Sequence, residues 1–170
     1  GLQETSDGCI DSSALEQVLG LPADIIAIGP GLGRGSSVAE LIDGLLERSG
    51  VPLVLDADAL NVCADNDNLL HGRKGLDVIV TPHPGEMARL QGTSVEDVQT
   101  NRIEAASSLA MDRSVHVVLK GYRTVVAGPH GSIFINLTGN PGMATGGSGD
   151  VLTGAIAAWT AQLLDAEAGC

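Results

Sequence analysis

Basic residues are scarce in this sequence. Its 170 residues include 9 Lys and Arg against 21 Asp and Glu, which gives a formal net charge of −12 at pH 7. Nucleic acids and anionic membranes attract basic patches, so this balance argues against both as partners. An anionic small ligand stays compatible with it, because backbone amide groups can bind a phosphate without a charged side chain.

Long apolar runs, a signal peptide and a metal-binding cysteine pattern are also lacking. The longest apolar stretches are well short of the roughly 20 residues that a membrane helix needs, and no secretory pattern is visible. Cys9, Cys63 and Cys170 are odd in number and follow no metal-ligand spacing. We therefore expect a cytoplasmic protein whose cysteines are reduced and take no part in the chemistry.

Glycine is abundant, with 23 residues, well above the usual ~7% of a chain. The length suffices for one domain with a hydrophobic core, and no repeat or linker interrupts it, so we predict a single domain over residues 1–170. The chain starts at Gly1 without a methionine and stops at Cys170 just after a helical pattern. We expect this domain to be a truncated part of a larger one.

Short β-branched runs alternate with amphipathic helical patterns along the chain. This alternation is typical of a mostly parallel sheet covered by helices. Apolar runs predict four strands, and two further runs around Gly128-Pro129-His130-Gly131 predict an antiparallel hairpin. The predicted strands cover residues 25–28, 53–55, 78–80 and 117–119, and the hairpin covers residues 124–127 and 132–136.

Helix starts are predicted from capping patterns. Ser37 and Glu40 have the capping-box spacing at the start of one helix. Ser94 and Asp97 begin another, with Ile103 among its inner-face residues. Further helices are predicted over residues 84–92 and from about Asp150 to Leu164.

Five glycine-rich or polar segments each follow directly on a predicted strand. Loops after the strands of a parallel sheet emerge at one edge, which is the edge where ligands bind. The sequence therefore predicts a binding site at that edge. The segments are Gly29-Pro30-Gly31-Leu32-Gly33, Asp56-Ala57-Asp58-Ala59-Leu60-Asn61, Thr81-Pro82-His83-Pro84-Gly85-Glu86, Lys120-Gly121-Tyr122-Arg123-Thr124 and residues 136–150.

The last of these segments is the most informative. Gly146, Gly147 and Gly149 precede or begin an apolar helix, whose free amide groups and positive end can bind a phosphate. Asp150 in the first turn would face that phosphate and could accept a proton from an attacking hydroxyl. Asp150 as a mere helix cap is the alternative. The glycine spacing fits neither a Walker loop nor a Rossmann fingerprint.

Thr145-Gly146-Gly147-Ser148-Gly149-Asp150 resembles the anion hole and catalytic Asp of ribokinase-like small-molecule kinases. The longer string from Asn140 to Gly154 is similar to the NAD(P)H-hydrate dehydratase branch of that superfamily, and the first three strand-end segments match the same branch in the same order. Vitamin kinases of the superfamily usually carry Asn where this chain has His83. The resemblance covers residues 24–160 and implies a three-layer α/β/α fold of ribokinase-like type.

The resemblance also implies a role for each matching residue. Its implied reaction is the ADP- or ATP-driven dehydration of hydrated NADH or NADPH, with Mg²⁺. Tyr122 and Arg123 depart from the family, which more often has small residues there. The implied roles are substrate binding by Gly33, His83 and Asp150, catalysis by Asp150, nucleotide binding by Lys120, Gly121, Tyr122, Arg123, Thr124 and Gly149, an anion hole of Gly146, Gly147, Ser148 and Gly149, and a water-mediated Mg²⁺ contact by Glu86.

Two other functions stay open, a kinase for a thiazole or pyrimidine alcohol and a nucleotide-binding module without turnover. Single residues also have structural alternatives: His83 could be a loop histidine, Asp56 and Asp58 could only cap a helix, and Lys120 could be solvated. Asn61 is a possible binding residue, whereas His71, His116 and His130 show no ligand spacing. For the complete protein we expect a homo-oligomer in which an epimerase domain can be fused.

Overall fold

A six-stranded sheet forms the centre of the molecule in a computed structural model that describes residues 10–11, 13–67, 69–72 and 75–163. The spatial order of the strands equals their order in the chain. The first four strands are parallel, and the last two continue the sheet as an antiparallel hairpin. The strands are β1 (Ile26–Ile28), β2 (Leu53–Leu55), β3 (Val78–Val80), β4 (His116–Leu119), β5 (Val125–Ala127) and β6 (Ile133–Ile135).

Seven α-helices precede, connect or follow these strands within the described residues. They are α1 (Ala14–Leu19), α2 (Ser36–Arg48), α3 (Ala57–Asp65), α4 (Pro84–Gln91), α5 (Val95–Thr100), α6 (Arg102–Arg113) and α7 (Ser148–Leu163). A 3₁₀ turn, Pro141–Met143, precedes α7. In the part of the chain that the structure describes, none of these helices has the length and apolarity of a membrane span.

The two faces of the sheet are covered by different helices. Alternate side chains of the strands, such as Leu53 and Leu55, point into a large core formed with α1 to α6. Val54 and its neighbours Ile79 and Val118 point the other way and pack against α7 at Ile156. The predicted α/β/α architecture with a mostly parallel sheet and an antiparallel hairpin is therefore confirmed, and α7 lies alone on its face among the described helices.

The predicted capping box at Ser37 and Glu40 is wrong. Helix α2 begins at Ser36, its N-cap is Gly35, and no side chain caps it. The Ser37 hydroxyl instead donates to the Ile10 carbonyl oxygen over 2.9 Å and ties the helix to an earlier part of the chain. Local spacing could not reveal this distant acceptor.

The helix predicted from Ser94 is two helices. Ser94 does cap the first of them, since its hydroxyl accepts from the Asp97 amide. The chain then leaves helical geometry at Asn101, with φ −121° and ψ 45°, before α6 begins. This break changes the phase of the second helix, so Ile103 is 46% exposed and not on the inner face.

The other helix predictions agree better with the structure. Helix α4 begins at Pro84 and ends at Gly92, which has the left-handed conformation with φ 63°. Helix α7 begins at Ser148, two residues earlier than predicted, so Asp150 lies in its first turn. Leu164 lies outside the described residues.

Candidate active site

Four segments that follow strands are held together by a backbone ladder that continues past the strand ends. The amide of Asp56 donates to Ile28 O over 3.1 Å, and that of Lys120 donates to Pro82 O over 2.8 Å. Strand β6 runs parallel to β4, so the segment after it emerges at the same edge. The predicted meeting of the five segments at one edge is confirmed.

Gly29 allows the first two of these segments to touch. Its φ is 147°, and a β-carbon built there would lie 1.8 Å from the Asp56 carbonyl oxygen. Only a residue without a side chain fits between the two backbones. The close approach brings the glycine loop after β1 against the start of α3.

A buried ion pair lies at the centre of the edge. Lys120 Nζ donates to Asp56 Oδ1 over 2.7 Å, and the side chains are 19% and 2% exposed. Burial opposes ionisation of Asp56, but the hydrogen bond and charge of Lys120, together with hydrogen bonds from Thr153 and Thr81, hold the pKa of Asp56 below its usual range. Asp56 is the N-cap residue of α3 by position, but its carboxylate makes no cap hydrogen bond. Lys120 is not simply solvated, because its ammonium group is paired with Asp56 and mostly buried.

The same carboxylate joins the pair to helix α7. Thr153 Oγ1 donates to Asp56 Oδ2 over 2.8 Å in a buried contact. One turn earlier, a β-carbon built on Gly149 would lie 3.5 Å from Lys120 Nζ. Glycine at 149 therefore lets the ammonium group approach the helix start closely.

The first turn of α7 has the form of an anion site. Gly147 has φ 85°, and a β-carbon on Gly146 or Gly147 would meet nothing within 4 Å. The amides of Gly149 and Asp150 have no acceptor among the described residues, as is usual for the first turn of a helix. The Asp150 side chain is exposed. This turn therefore offers backbone donors and one carboxylate to a ligand.

His83 and Glu86 form a reciprocal cap at the start of α4. His83 Nδ1 accepts from the Gly85 and Glu86 amides over 2.9 and 3.3 Å, and Glu86 Oε2 accepts from the His83 amide over 2.8 Å. Glu86 Oε2 also lies 4.0 Å from Lys120 Nζ. The His83 ring is half exposed. His83 thus has a structural task whether or not it also contacts a ligand.

Asp58 holds the glycine loop after β1. Its Oδ2 accepts from the Gly33 amide over 3.1 Å. Between Asp56 and Asp58, Ala57 has φ 47°, a conformation that costs an L-residue about 1–2 kcal/mol. This strained residue lets two carboxylates separated by one position reach different segments. Asp58 therefore does more than cap a helix.

The segment Lys120–Thr124 is supported from behind by Arg102. The Arg102 guanidinium donates to the carbonyl oxygens of Leu119 and Lys120 over 2.9 and 3.3 Å. Tyr122 is 83% exposed, and the Arg123 guanidinium lies 5.3 Å from its ring centre. The main chain is anchored here, whereas these two side chains face solvent.

The structure thus places Lys120 and Gly149 beside Asp56, and Glu86, which binds His83, near Lys120. Gly33 is held through Asp58. Sequence reasoning placed Asp56 and Asp58 in a strand-end segment of the site, with capping as the alternative, but assigned neither a role there. It missed Thr153 and Arg102 altogether. The one available signal for Asp56 was its position at a strand end beside the strands that carry His83 and Lys120. The partners of the two aspartates are distant in sequence, so spacing alone could not identify them.

Several other candidates take structural roles. Asn61 Oδ1 accepts from Arg89 Nε over 3.0 Å. Cys63 is buried, and burial raises the pKa of its thiol to about 12, in line with the expectation that it does no chemistry. His116 is buried and lies 3.6 Å from Asp77 at the opposite end of the sheet. Cys9 and Cys170 lie outside the described residues.

Comparison with known proteins gives consistent matches. A profile of the NAD(P)H-hydrate dehydratase family matches residues 9–170. The bifunctional NAD(P)H-hydrate repair enzyme Nnr of Moorella thermoacetica is 49% identical over 163 residues, which is 95% of this chain and 31% of that protein.

Two solved structures have the same fold. The ADP/ATP-dependent NAD(P)H-hydrate dehydratase of Bacillus subtilis, co-crystallized with ATP/Mg²⁺, is 36% identical with a TM-score of 0.79 over 91% of this chain and 55% of its own. A ribokinase-like superfamily protein of Enterococcus faecalis is 31% identical with a TM-score of 0.70 over 89% and 50%. The chain spans 31% of the length of the Moorella protein and about half of the length of each of the two solved structures. It belongs to the NAD(P)H-hydrate dehydratase family, within the ribokinase-like fold.

Proposed function

We propose that the complete protein dehydrates hydrated NADH and NADPH to the normal cofactors, using the terminal phosphate of ADP or ATP. The observation that carries the proposal is the junction of the Lys120–Asp56 pair with the first turn of α7. An ammonium group thereby lies beside free backbone amides, in the helix turn that also carries Asp150. Such a set of groups suits phosphoryl transfer, in which charge neutralisation and positioning supply most of the catalysis.

Asp150 would act as the general base. Its carboxylate accepts the proton of the hydrate's ring hydroxyl, whose oxygen attacks the terminal phosphorus of the nucleotide. The bond from that phosphorus to its bridging oxygen breaks, and AMP leaves when the donor is ADP. The exposure of Asp150 supports this role, because the group is free to meet a substrate.

Phosphate is a better leaving group than hydroxide. The phosphorylated hydrate can therefore lose phosphate, although the hydrate itself loses hydroxide poorly. The lone pair of the ring nitrogen expels the phosphate with its bonding electrons, and loss of a proton from the neighbouring carbon restores the dihydropyridine. The net change is hydrate plus ADP giving NADH, AMP and phosphate. Overall the enzyme is a lyase driven by nucleotide cleavage.

The binding roles are assigned by position at the sheet edge. Lys120, with the main chain of Gly121–Thr124, would hold the phosphates and ribose of the nucleotide beside Gly149. The amides of residues 146–149 would bind the phosphate being transferred. Gly33 and the exposed side of His83 would contact the hydrate. Gly33 can do so only through its other atoms, since Asp58 already accepts from its amide.

A magnesium ion fits this site as a companion of the nucleotide. No cluster of three His, Cys, Asp or Glu side chains that could hold a metal occurs among the described residues. Mg²⁺ commonly keeps several waters and is held by phosphates with one or two carboxylates. Glu86, whose oxygens are engaged by His83, suits a contact through water. The ion would supply charge neutralisation on the phosphates.

Three further features of the complete protein are part of the proposal. The bifunctional relative supports a second repair activity, an epimerase, fused to this domain in some members. A cytoplasmic location and a homo-oligomeric assembly remain predictions. Light scattering on the complete protein measures its assembly.

The test supplies the complete protein with hydrated NADH, Mg²⁺ and either ADP or ATP, and follows NADH absorbance. We expect NADH to form only when a nucleotide is present. A hydroxyethylthiazole or a pyrimidine alcohol is supplied in parallel. Phosphorylation of the alcohol without consumption of the hydrate would establish the kinase, and nucleotide binding without any turnover would establish the binding module.

A further inference from the structure

We propose that Asp56 is a positioning residue, which holds the Lys120 ammonium group against the start of α7 so that it meets the terminal phosphate of the nucleotide. The inference rests on the proposed function and adds a residue to its machinery. Asp56 would touch neither substrate. It would act only through Lys120.

The contacts of Asp56 give the first argument. Its two carboxylate oxygens serve two different elements, Oδ1 accepting from Lys120 at the end of β4 and Oδ2 accepting from Thr153 on α7. One side chain thereby fixes the distance between the lysine and the helix whose first turn offers the free amides. A carboxylate needed only to neutralise a buried lysine would not have to bind that helix.

The position of the ammonium group gives the second argument. Lys120 Nζ comes within 3.5 Å of the β-carbon position of Gly149, so it lies directly beside the proposed anion site. Within the described residues the group donates one hydrogen bond, to Asp56. Two N–H groups are left for a phosphate.

A lysine side chain needs such a holder because its stem is long and flexible. The second carboxylate in reach is Glu86, 4.0 Å from Nζ on the side of His83. Without the Asp56 charge, the ammonium group would shift towards Glu86 and away from α7. Apolar side chains can often replace a buried ion pair without loss of stability, so stability alone does not explain this pair, whereas a positional role does.

The variant Asp56→Asn tests the proposal while keeping the size of the side chain and an oxygen for Thr153. The quantity to measure is the ratio of the dissociation constants of AMP and ADP, because only ADP carries the phosphate that Lys120 would meet. We expect Lys120→Gln and Asp56→Asn each to lower this ratio by about tenfold, the effect of losing one charge-assisted hydrogen bond. The double variant should be no lower than Lys120→Gln alone, since Asp56 acts through Lys120.

Three features keep the result interpretable. The ratio is taken on one preparation of the complete protein, so partial unfolding affects both constants equally and cancels. Asp77→Asn is the matched control, the same change beside buried His116 at the opposite end of the sheet, and should leave the ratio unchanged. The ratio also requires no turnover, so it is measured even if the hydrate assay fails and the proposed function is wrong.

The wild type, the two single variants Asp56→Asn and Lys120→Gln, and the double variant are then compared in turnover of the hydrate. Asp56→Asn and Lys120→Gln should lower kcat by similar factors, again without a further loss in the double variant. An unchanged AMP-to-ADP ratio in Asp56→Asn would overturn the proposal, and so would losses that multiply in the double variant. A wild-type ratio near one would overturn it as well, because Lys120 would then not meet the terminal phosphate.

Discussion

Replacing Gly29 by alanine should destabilise the protein through one close backbone contact. The new β-carbon would lie 1.8 Å from the Asp56 carbonyl oxygen and 2.6 Å from its carbon, whereas ordinary contacts start at 3.4 Å. The carbonyl group would have to move by more than an ångström. The Asp56 amide, which donates to Ile28 O, belongs to the same short segment and would move with it.

The expected cost combines two terms. A φ of 147° lies outside the regions that L-residues ordinarily adopt and costs an alanine about 1–3 kcal/mol. Loss of the backbone hydrogen bond between β1 and the Asp56 segment adds about 1 kcal/mol, and imperfect packing adds to both. We therefore expect Gly29→Ala to lower the free energy of unfolding by about 3 kcal/mol, a large share of the stability of a typical domain.

Gly31→Ala is the matched control in the same loop. Gly31 also has positive φ, 76°, but a β-carbon there would meet nothing within 4 Å, so only the conformational cost of about 1–2 kcal/mol applies. Urea unfolding of the complete protein, followed by circular dichroism, gives both values. Equal losses in the two variants would refute the idea that the contact with Asp56, and not the backbone conformation, requires glycine at 29.

Three further predictions concern single residues of the site. His83→Asn should change the free energy of unfolding by less than about 0.5 kcal/mol, because Asn also caps helices. The same variant should raise KM for the hydrate. An unchanged KM would show that His83 is only a helix cap. Ala57→Gly should raise the free energy of unfolding by about 1 kcal/mol, because glycine adopts the positive φ at this position without strain. Ala59→Gly, inside the same helix, should lower that free energy by a similar amount. A lower free energy of unfolding in both variants would contradict the strain assigned to Ala57. The pKa of Asp56 in the folded protein lies below its unfolded value near ~3.9, so the stability that Asp56 contributes is present above that pH and is lost as the pH falls through the folded pKa. Urea unfolding at a series of acid pH values should therefore show a smaller fall of the unfolding free energy in Asp56→Asn than in the wild type. Identical falls in the two proteins would disprove the shift.

The strands and the edge that carries the site could be predicted from sequence, because both depend on local patterns. Leu53–Leu55 and Val78–Val80 are short apolar runs between polar segments, and the structure has strands at these positions. The parallel arrangement then determines which ends of the strands meet. Helix starts were less predictable where a distant group decides them, as with the Ser37 hydroxyl that binds Ile10 O.

The connections inside the site could not be predicted in this way. Asp56 is 64 positions from Lys120 and 97 from Thr153, and no spacing rule links residues so far apart. A strand-end aspartate followed by a helix is locally a cap, and only the order of the strands shows that its carboxylate faces the lysine. The dual position of His83, cap on one side and half exposed on the other, likewise depends on tertiary structure.

The central claim is that the start of α7, with Asp150, couples phosphate transfer from a nucleotide to the loss of water from the hydrate. The most direct test measures inorganic phosphate and NADH together, with the complete protein, hydrated NADH, ADP and Mg²⁺. We predict equal amounts of both products in the wild type, and a fall of both by about 10²- to 10⁴-fold in Asp150→Asn with ADP still bound. NADH formed without phosphate, or an Asp150→Asn variant with near-normal turnover, would contradict the account.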